Sequence, residues 1–291
     1  MTAGDSIEAA IGYLSPQSRV NRFFWAPDGR LSTSIAVTER VTIRNARTAD
    51  HSFTLDRHGF TLARYPTALN QITDRAGIDG LYAREVEAIA RDLTGADLVV
   101  TMGAEVRSSR PDGKPVQPPA ARAHIDYDIA TANRIAQRRY RRAVPEGPPP
   151  ARFVLLSIWR CFSPPPQDWP LALCDFQSCK DDREVRAVKI DVERLPEGDA
   201  RFAPIAGEAE MGASGLFTFN PAHRWFYYPD MTRDEIIAIT FHDSDHERAW
   251  RAPHCAFHDE SRPAAIPRES IEFRVAAYFV KKQGCQNHET D

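Results

Sequence analysis

The residues best suited to chemistry lie in Ala121-Arg122-Ala123-His124-Ile125-Asp126-Tyr127-Asp128. In an extended strand, side chains two positions apart project to the same face, so His124 and Asp126 stand side by side. An imidazole and a carboxylate held this way supply two ligands of the 2-His-1-carboxylate facial triad of non-haem Fe(II) centres, which leaves positions open for other ligands. The remaining histidine must come from a distant strand. His242-Asp243-Ser244-Asp245-His246 offers two histidines, but alternating Asp and Ser are what a turn uses to bond its own backbone, and the segment reads as a hydrated turn. Pro253-His254-Cys255-Ala256-Phe257 is the better source, because a short apolar strand follows its histidine. The expected metal and catalytic set is His124, Asp126 and His254. The long separation of His254 from Asp126 demands a large insertion between strands that a jelly roll would place together.

2-Oxoglutarate would bind such an iron through its keto-acid end and needs a cation for its other carboxylate, a task suited to the planar fork of arginine. Alternation along Arg268-Glu269-Ser270-Ile271-Glu272-Phe273-Arg274 places Arg268, Ser270, Glu272 and Arg274 on one face. Arg274, deeper in the strand, is preferred for this role, with Arg268 as rival; a surface salt bridge to Glu269 or Glu272 is the plain alternative for either. The aromatic side chains of Trp159, Trp225, Phe226, Tyr227 and Tyr228 suit the wall of an apolar substrate pocket and equally a core. Arg160 and Asp175 read either as a buried pair or as substrate contacts.

The elements that must position these residues are mainly strands. Alternating patterns predict them at Ser34–Thr38, Val41–Asn45, Phe53–Leu55, Phe60–Leu62 and Leu98–Met102. Helices are predicted over Tyr82–Leu93, closed by Gly95, and after Asp128, with Ile129, Ala132, Ala136 and Tyr140 on one side. Arg107–Pro119 reads as an exposed loop. Beyond Pro145–Pro150 the signal is mostly β: Arg152–Trp159, Ala172–Phe176, Val185–Val192, Leu216–Phe219, Trp225–Tyr228, Ile236–Phe241 after a capping pattern at Thr232–Glu235, and Ser270–Val280. The 22 prolines outnumber the 15 glycines, reversing ordinary usage and favouring short segments joined by stiff turns over a helical bundle.

Composition bounds the partners. The 291 residues carry 37 Lys and Arg against 40 Asp and Glu, a net charge of −3. That balance lacks the basic field a nucleic-acid partner requires, and the arginines at Arg138, Arg139, Arg141 and Arg142 suit the C-terminal end of a helix. No apolar run approaches the roughly 20 residues needed to span a bilayer. Met1–Asp5 has neither a basic nor an apolar leader pattern, so a cytoplasmic location is expected. Five cysteines, without CxxC or zinc-finger spacing, read as reduced and mostly buried thiols.

Several of these stretches together resemble the CmcJ/AsaB hydroxylase–desaturase family of natural-product enzymes, which is similar to Fe(II)/2-oxoglutarate oxygenases. They are Phe53–Phe60, Thr94–Ala96, Ala123–Asp126, Ser157–Arg160, Leu171–Asp175, His223–Tyr228, Pro253–Phe257 and Pro267–Arg274, in order over most of the chain. One departure is Ser157, where the family pattern carries asparagine. The resemblance implies a mainly β fold with flanking helices (α+β) around a double-stranded β-helix, or jelly roll. It implies a single domain over 1–291, with residues 1–105 as an N-terminal α/β extension on a core of 106–283. It further implies Fe(II) held by His124, Asp126 and His254, with 2-oxoglutarate and O2 as co-substrates near Arg274, Arg268 and Ser270. The expected activity is hydroxylation or desaturation of a C–H bond in a small molecule, with Trp159, Arg160, Asp175, Trp225 and Tyr227 as candidate substrate contacts. A non-catalytic jelly-roll scaffold and an iron oxygenase independent of 2-oxoglutarate are the alternatives. Oligomeric state is not legible.

Overall fold

The computed structural model describes residues 4–110 and 116–280. Two sheets face one another. The larger contains β1 (Ser6–Leu14), β2 (Arg22–Ala26), β3 (Gly29–Ser32), β4 (Ala36–Asn45), β7 (His124–Ile125), β9 (Leu171–Cys174), β10 (Val185–Asp191), β11 (Ala213–Leu216), β12 (Trp225–Tyr227) and β14 (His254–Ala256). Its order is β1-β4-β12-β9-β14-β7-β11-β10-β2-β3. The smaller is β5-β13-β8-β15-β6, from β5 (Phe60–Arg64), β6 (Leu98–Ser108), β8 (Arg152–Cys161), β13 (Glu235–Asp243) and β15 (Glu269–Phe279). Strands from the first 108 residues are hydrogen-bonded members of both sheets, and position 105 falls inside β6.

Three apolar zones make up most of the core. Between the sheets pack Phe153, Leu155, Trp159, Leu171, Leu173, Ile237, Ile239 and Phe241, with Ala132, Ala136 and Tyr140 of helix α4 (Ile129–Ala143). The other face of the smaller sheet (Val154, Leu156, Ile158, Ile271, Phe273) is covered by Val86, Ile89 and Ala90 of helix α3 (Ala83–Thr94). β8 is therefore buried on both faces, which explains why Phe153–Trp159 is apolar at every position but Ser157. On the larger sheet's other face, Ala123, Ile125, Ala172, Trp225 and Cys255 meet Ile11 and Tyr13 of β1. β1 passes so close that a Cβ on Gly12 would sit 2.8 Å from the Ala121 carbonyl oxygen.

Both long helices form where expected, with Gly95 at φ 68° ending α3 and the Asp128 carboxylate accepting from Thr131 N at the start of α4. Ile129 departs from its expected side and is 41% exposed, since α4 only meets the core a turn later. The two strands expected at 34–38 and 41–45 are one, β4. Phe53–Leu55 is not a strand. The Thr54 N–H donates to His58 Nδ1 (3.0 Å), closing a single helical turn, α1 (Leu55–His58), while the Phe53 ring packs on Phe60 and Phe226. A second short turn, α2 (Arg75–Gly77), precedes α3. The strand expected at 216–219 lies earlier, as β11; β6 runs on to Ser108, inside the loop expected over Arg107–Pro119, and residues 111–115 lie outside the described residues, as does Cys285. No helix among the described residues is long and apolar enough to cross a membrane.

Candidate metal centre

β7 lies between β11 and β14, in a register that sets His254 directly opposite His124. The insertion between them is real: α4 and strands β8 to β13 intervene in sequence. Alternation turns Ala123 and Ile125 into the outer core and directs His124 inward. Asp126, one residue beyond the strand, keeps the same face.

The His124, Asp126 and His254 side chains each offer a ligand atom within 4.8 Å of the others. His124 Nε2 is 3.4 Å and His254 Nε2 3.9 Å from Asp126 Oδ1. The opposite ring nitrogens are tied to backbone: His124 Nδ1 contacts the Arg122 carbonyl at 2.7 Å and His254 Nδ1 the Ala252 carbonyl at 3.1 Å. A carbonyl only accepts, so each Nδ1 is the donor and each Nε2 is left facing the shared space. Asp126 Oδ2 faces Arg274 Nε at 2.6 Å, leaving Oδ1 toward the histidines. Burial works against the Asp126 charge, but Arg274 and His124 outweigh it and hold the carboxyl well below its usual range. Burial, then His124, pushes His254 down to about 4. Two imidazole Nε2 atoms and an ionised carboxylate are the donor set that suits Fe(II).

The rival segment lies apart from this set. His242 is buried in β13 beside Phe153 and Trp250, and His246 stacks on Trp250. The Asp243 carboxylate pairs with Arg152 and accepts from Asp245 N, the backbone-bonding turn its composition suggested.

Of the two arginines, Arg274 donates its Nε–H to Glu272 at 2.7 Å and forms an ion pair with Asp126. Arg268 is 1% exposed. It gives one N–H to the Trp169 carbonyl (2.7 Å) and lies over Trp159 at 5.6 Å, while its Nε and the buried Ser270 Oγ have no hydrogen-bond partner among the described residues. Burial pushes the Arg268 guanidinium down to about 10. Arg268, Trp159, His124 and His254 line one small internal recess.

A larger cavity of about 640 Å³ adjoins this recess at Arg107, Ala120 and His124 and is lined also by Asp126 and Arg274. Of the candidate substrate contacts, only Trp159 comes beside the triad. Arg160 points to the α3 side, bonding the Tyr82 hydroxyl and the Arg233 carbonyl. Asp175 caps a short turn and pairs with Arg224. Trp225 and Tyr227 lie on the opposite sheet face, Trp225 donating to the Tyr13 hydroxyl. The cavity wall instead includes Phe23, Trp25, Glu105, Arg107, Arg122 and Lys189. Sequence reasoning missed all of these; period-two spacing from His124 could have found Arg122, whereas the others arrive from strands with no local signal.

A family model described as oxidoreductase/YMDC permease-like domain matches residues 11–278. The chain is 28% identical over 245 residues to the Fe(II)/2-oxoglutarate-dependent dioxygenase nvfI of Aspergillus novofumigatus, covering 82% of this chain and 83% of that protein. It is 26% identical over 286 residues to hydroxylase/desaturase CTB9 of Cercospora beticola, covering 91% and 84%. The solved structure of iron and alpha-ketoglutarate-dependent endoperoxidase NvfI superposes with a TM-score of 0.78 at 23% identity, over 97% of this chain and 100% of that one, which shows a shared fold.

Proposed function

The chain belongs to the oxidoreductase/YMDC permease-like domain family, and from that premise we propose that it is an Fe(II)- and 2-oxoglutarate-dependent oxygenase that hydroxylates or desaturates a C–H bond of a small natural-product-type molecule. The observation that carries this reading is the meeting of His124, Asp126 and His254 with both Nε2 atoms facing the Asp126 carboxylate. The named activities of the nvfI and CTB9 relatives support it. Bound there, iron with 2-oxoglutarate and O2 supplies C–H oxidation coupled to conversion of the keto acid to succinate and CO2.

The chain's own residues bind, orient and exclude water. Arg274 fixes the Asp126 carboxylate so that one oxygen faces the histidines. We assign the far carboxylate of 2-oxoglutarate to Arg268 and Ser270 rather than to Arg274. A guanidinium and a hydroxyl buried without full partners are costly, and an incoming carboxylate satisfies both. Arg274 already has two carboxylates. Trp159, Leu171 and Ile239 line the same recess and keep it dry. Substrate enters by the larger cavity, which meets the co-substrate recess at His124. A cytoplasmic setting fits the four described cysteines, which are all buried and free.

The test is succinate release from 2-oxoglutarate by the iron-loaded protein. His124→Ala or Asp126→Ala should reduce it to background. Undiminished release from either variant would remove these residues from the site.

A further inference from the structure

The cavity on the substrate side of the triad has a charge that the oxygenase chemistry leaves unused. Its lining holds five cations, Arg30, Arg107, Arg122, Lys189 and Arg274, against two carboxylates, Glu105 and Asp126. Arg274 is taken by Asp126 and Glu272. Among the described residues the other four cations make no ion pair within 4 Å, although Lys189 donates to the Asp126 carbonyl and Arg107 to Gln117 and the Pro118 carbonyl. Arg122 also has a buried Nη1 without a hydrogen-bond partner. It projects from the same strand face as His124 and Asp126.

The apolar part of the wall is equally specific. Phe23 and Trp25, two apart on β2, share a face, and Leu31 of β3 joins them. Each ring carries a guanidinium: Arg122 lies over Phe23 at 5.9 Å and Arg30 over Trp25 at 4.2 Å. A cation held over an aromatic face within a half-enclosed cavity offers a platform for a flat body and a counter-charge beside it. At about 640 Å³ the space suits a small organic molecule.

We infer that the substrate is an organic acid, with an apolar, ring-sized body against Phe23, Trp25 and Leu31 and its carboxylate, or an equivalent acidic group, held by Arg122 with Arg30 and Lys189 nearby. This rests on the oxygenase assignment for the adjoining metal centre and names the class of molecule that centre acts on. 2-Oxoglutarate is assigned above to the adjoining recess at Arg268, so the two acids should not compete.

The experiment is calorimetric titration of the whole chain, loaded anaerobically with Fe(II) and saturating 2-oxoglutarate. The probes are biphenyl-4-carboxylate, naphthalene-2-carboxylate and decanoate, each beside its neutral amide. At least one acid should bind about tenfold or more tightly than its amide. Arg122→Gln should cancel that preference while amide affinity stays unchanged, which shows that the cavity remains folded. No acid preference anywhere in the panel, an equal loss for acid and amide in Arg122→Gln, or displacement of the acid by added 2-oxoglutarate would each overturn the inference. A 2-oxoglutarate-dependent visible band recorded on the same sample separates the two failures. A band without acid preference overturns the substrate class alone, whereas no band overturns the oxygenase assignment and leaves any acid preference standing.

Discussion

At the residue scale, the centre divides its work between groups that could take a metal and groups that fix them. Arg268 and Arg274 are therefore expected to fail differently. Arg268→Ala should raise the 2-oxoglutarate concentration for half-maximal succinate release by about tenfold or more, the size of a lost charged hydrogen bond. Arg274→Ala should instead weaken iron retention, because Asp126 loses its fixing partner; equal effects on both quantities in both variants would contradict the division. The triad was legible from sequence because metal chelation restricts residue types and a strand's period restricts spacing. Trp225 and Tyr227 were not, although their neighbour Phe226 does face the inter-sheet core. All three residues of β12 are buried, so polarity gives no clue to which face each occupies, and a one-residue change of phase exchanges them. Arg160 shares that problem on β8.

At the element scale, the metal-bearing strands are short and depend on what presses against them. β14 is preceded by Arg251 and Ala252, which pack under Gly59 at the end of α1. Gly59 has φ +82°, and a Cβ there would lie 2.8 Å from the Arg251 carbonyl oxygen and 2.9 Å from Ala252 Cβ. Gly59→Ala should cost about 1–3 kcal/mol and also loosen iron, since Ala252 holds His254 Nδ1. Gly95 is the control: φ is +68° but a Cβ would meet nothing within 4 Å. Gly95→Ala should lower the melting temperature with iron affinity unchanged. Iron affinity unaffected in Gly59→Ala would show that this contact does not hold the histidine in place. Such a contact, between a turn at 59 and a strand at 254, joins segments far apart in sequence and could not be read from either. By contrast α3 and α4 could, because apolar spacing and caps are local.

At the scale of the whole molecule, the strand-rich composition was readable, while the sheet order was not, since β4 beside β12 and β2 beside β10 are parallel pairings across long intervals. The fold also hides titratable groups far from the centre. Burial, then His246 and Arg251, pushes His242 down to about 4. Between the ordinary value near 6.5 and about 4, the unfolded chain binds a proton that the fold refuses, so stability falls as pH drops through that window. His242→Phe should make the decline of melting temperature over that range shallower than in the parent; an identical decline would show that His242 is not titrating as stated. Cys161, Cys174, Cys179 and Cys255 are buried, so Cys285→Ser protein should show no thiol labelling before unfolding.

In the proposed centre, His124, Asp126 and His254 hold one iron that 2-oxoglutarate also meets. Anaerobic titration of metal-free protein with Fe(II), followed by 2-oxoglutarate, tests it most directly. One equivalent of iron should bind per chain, a visible charge-transfer band should rise only when the keto acid is added, and His254→Ala should lose both. Iron bound at one equivalent with no band, or a band undiminished in His254→Ala, would contradict the account.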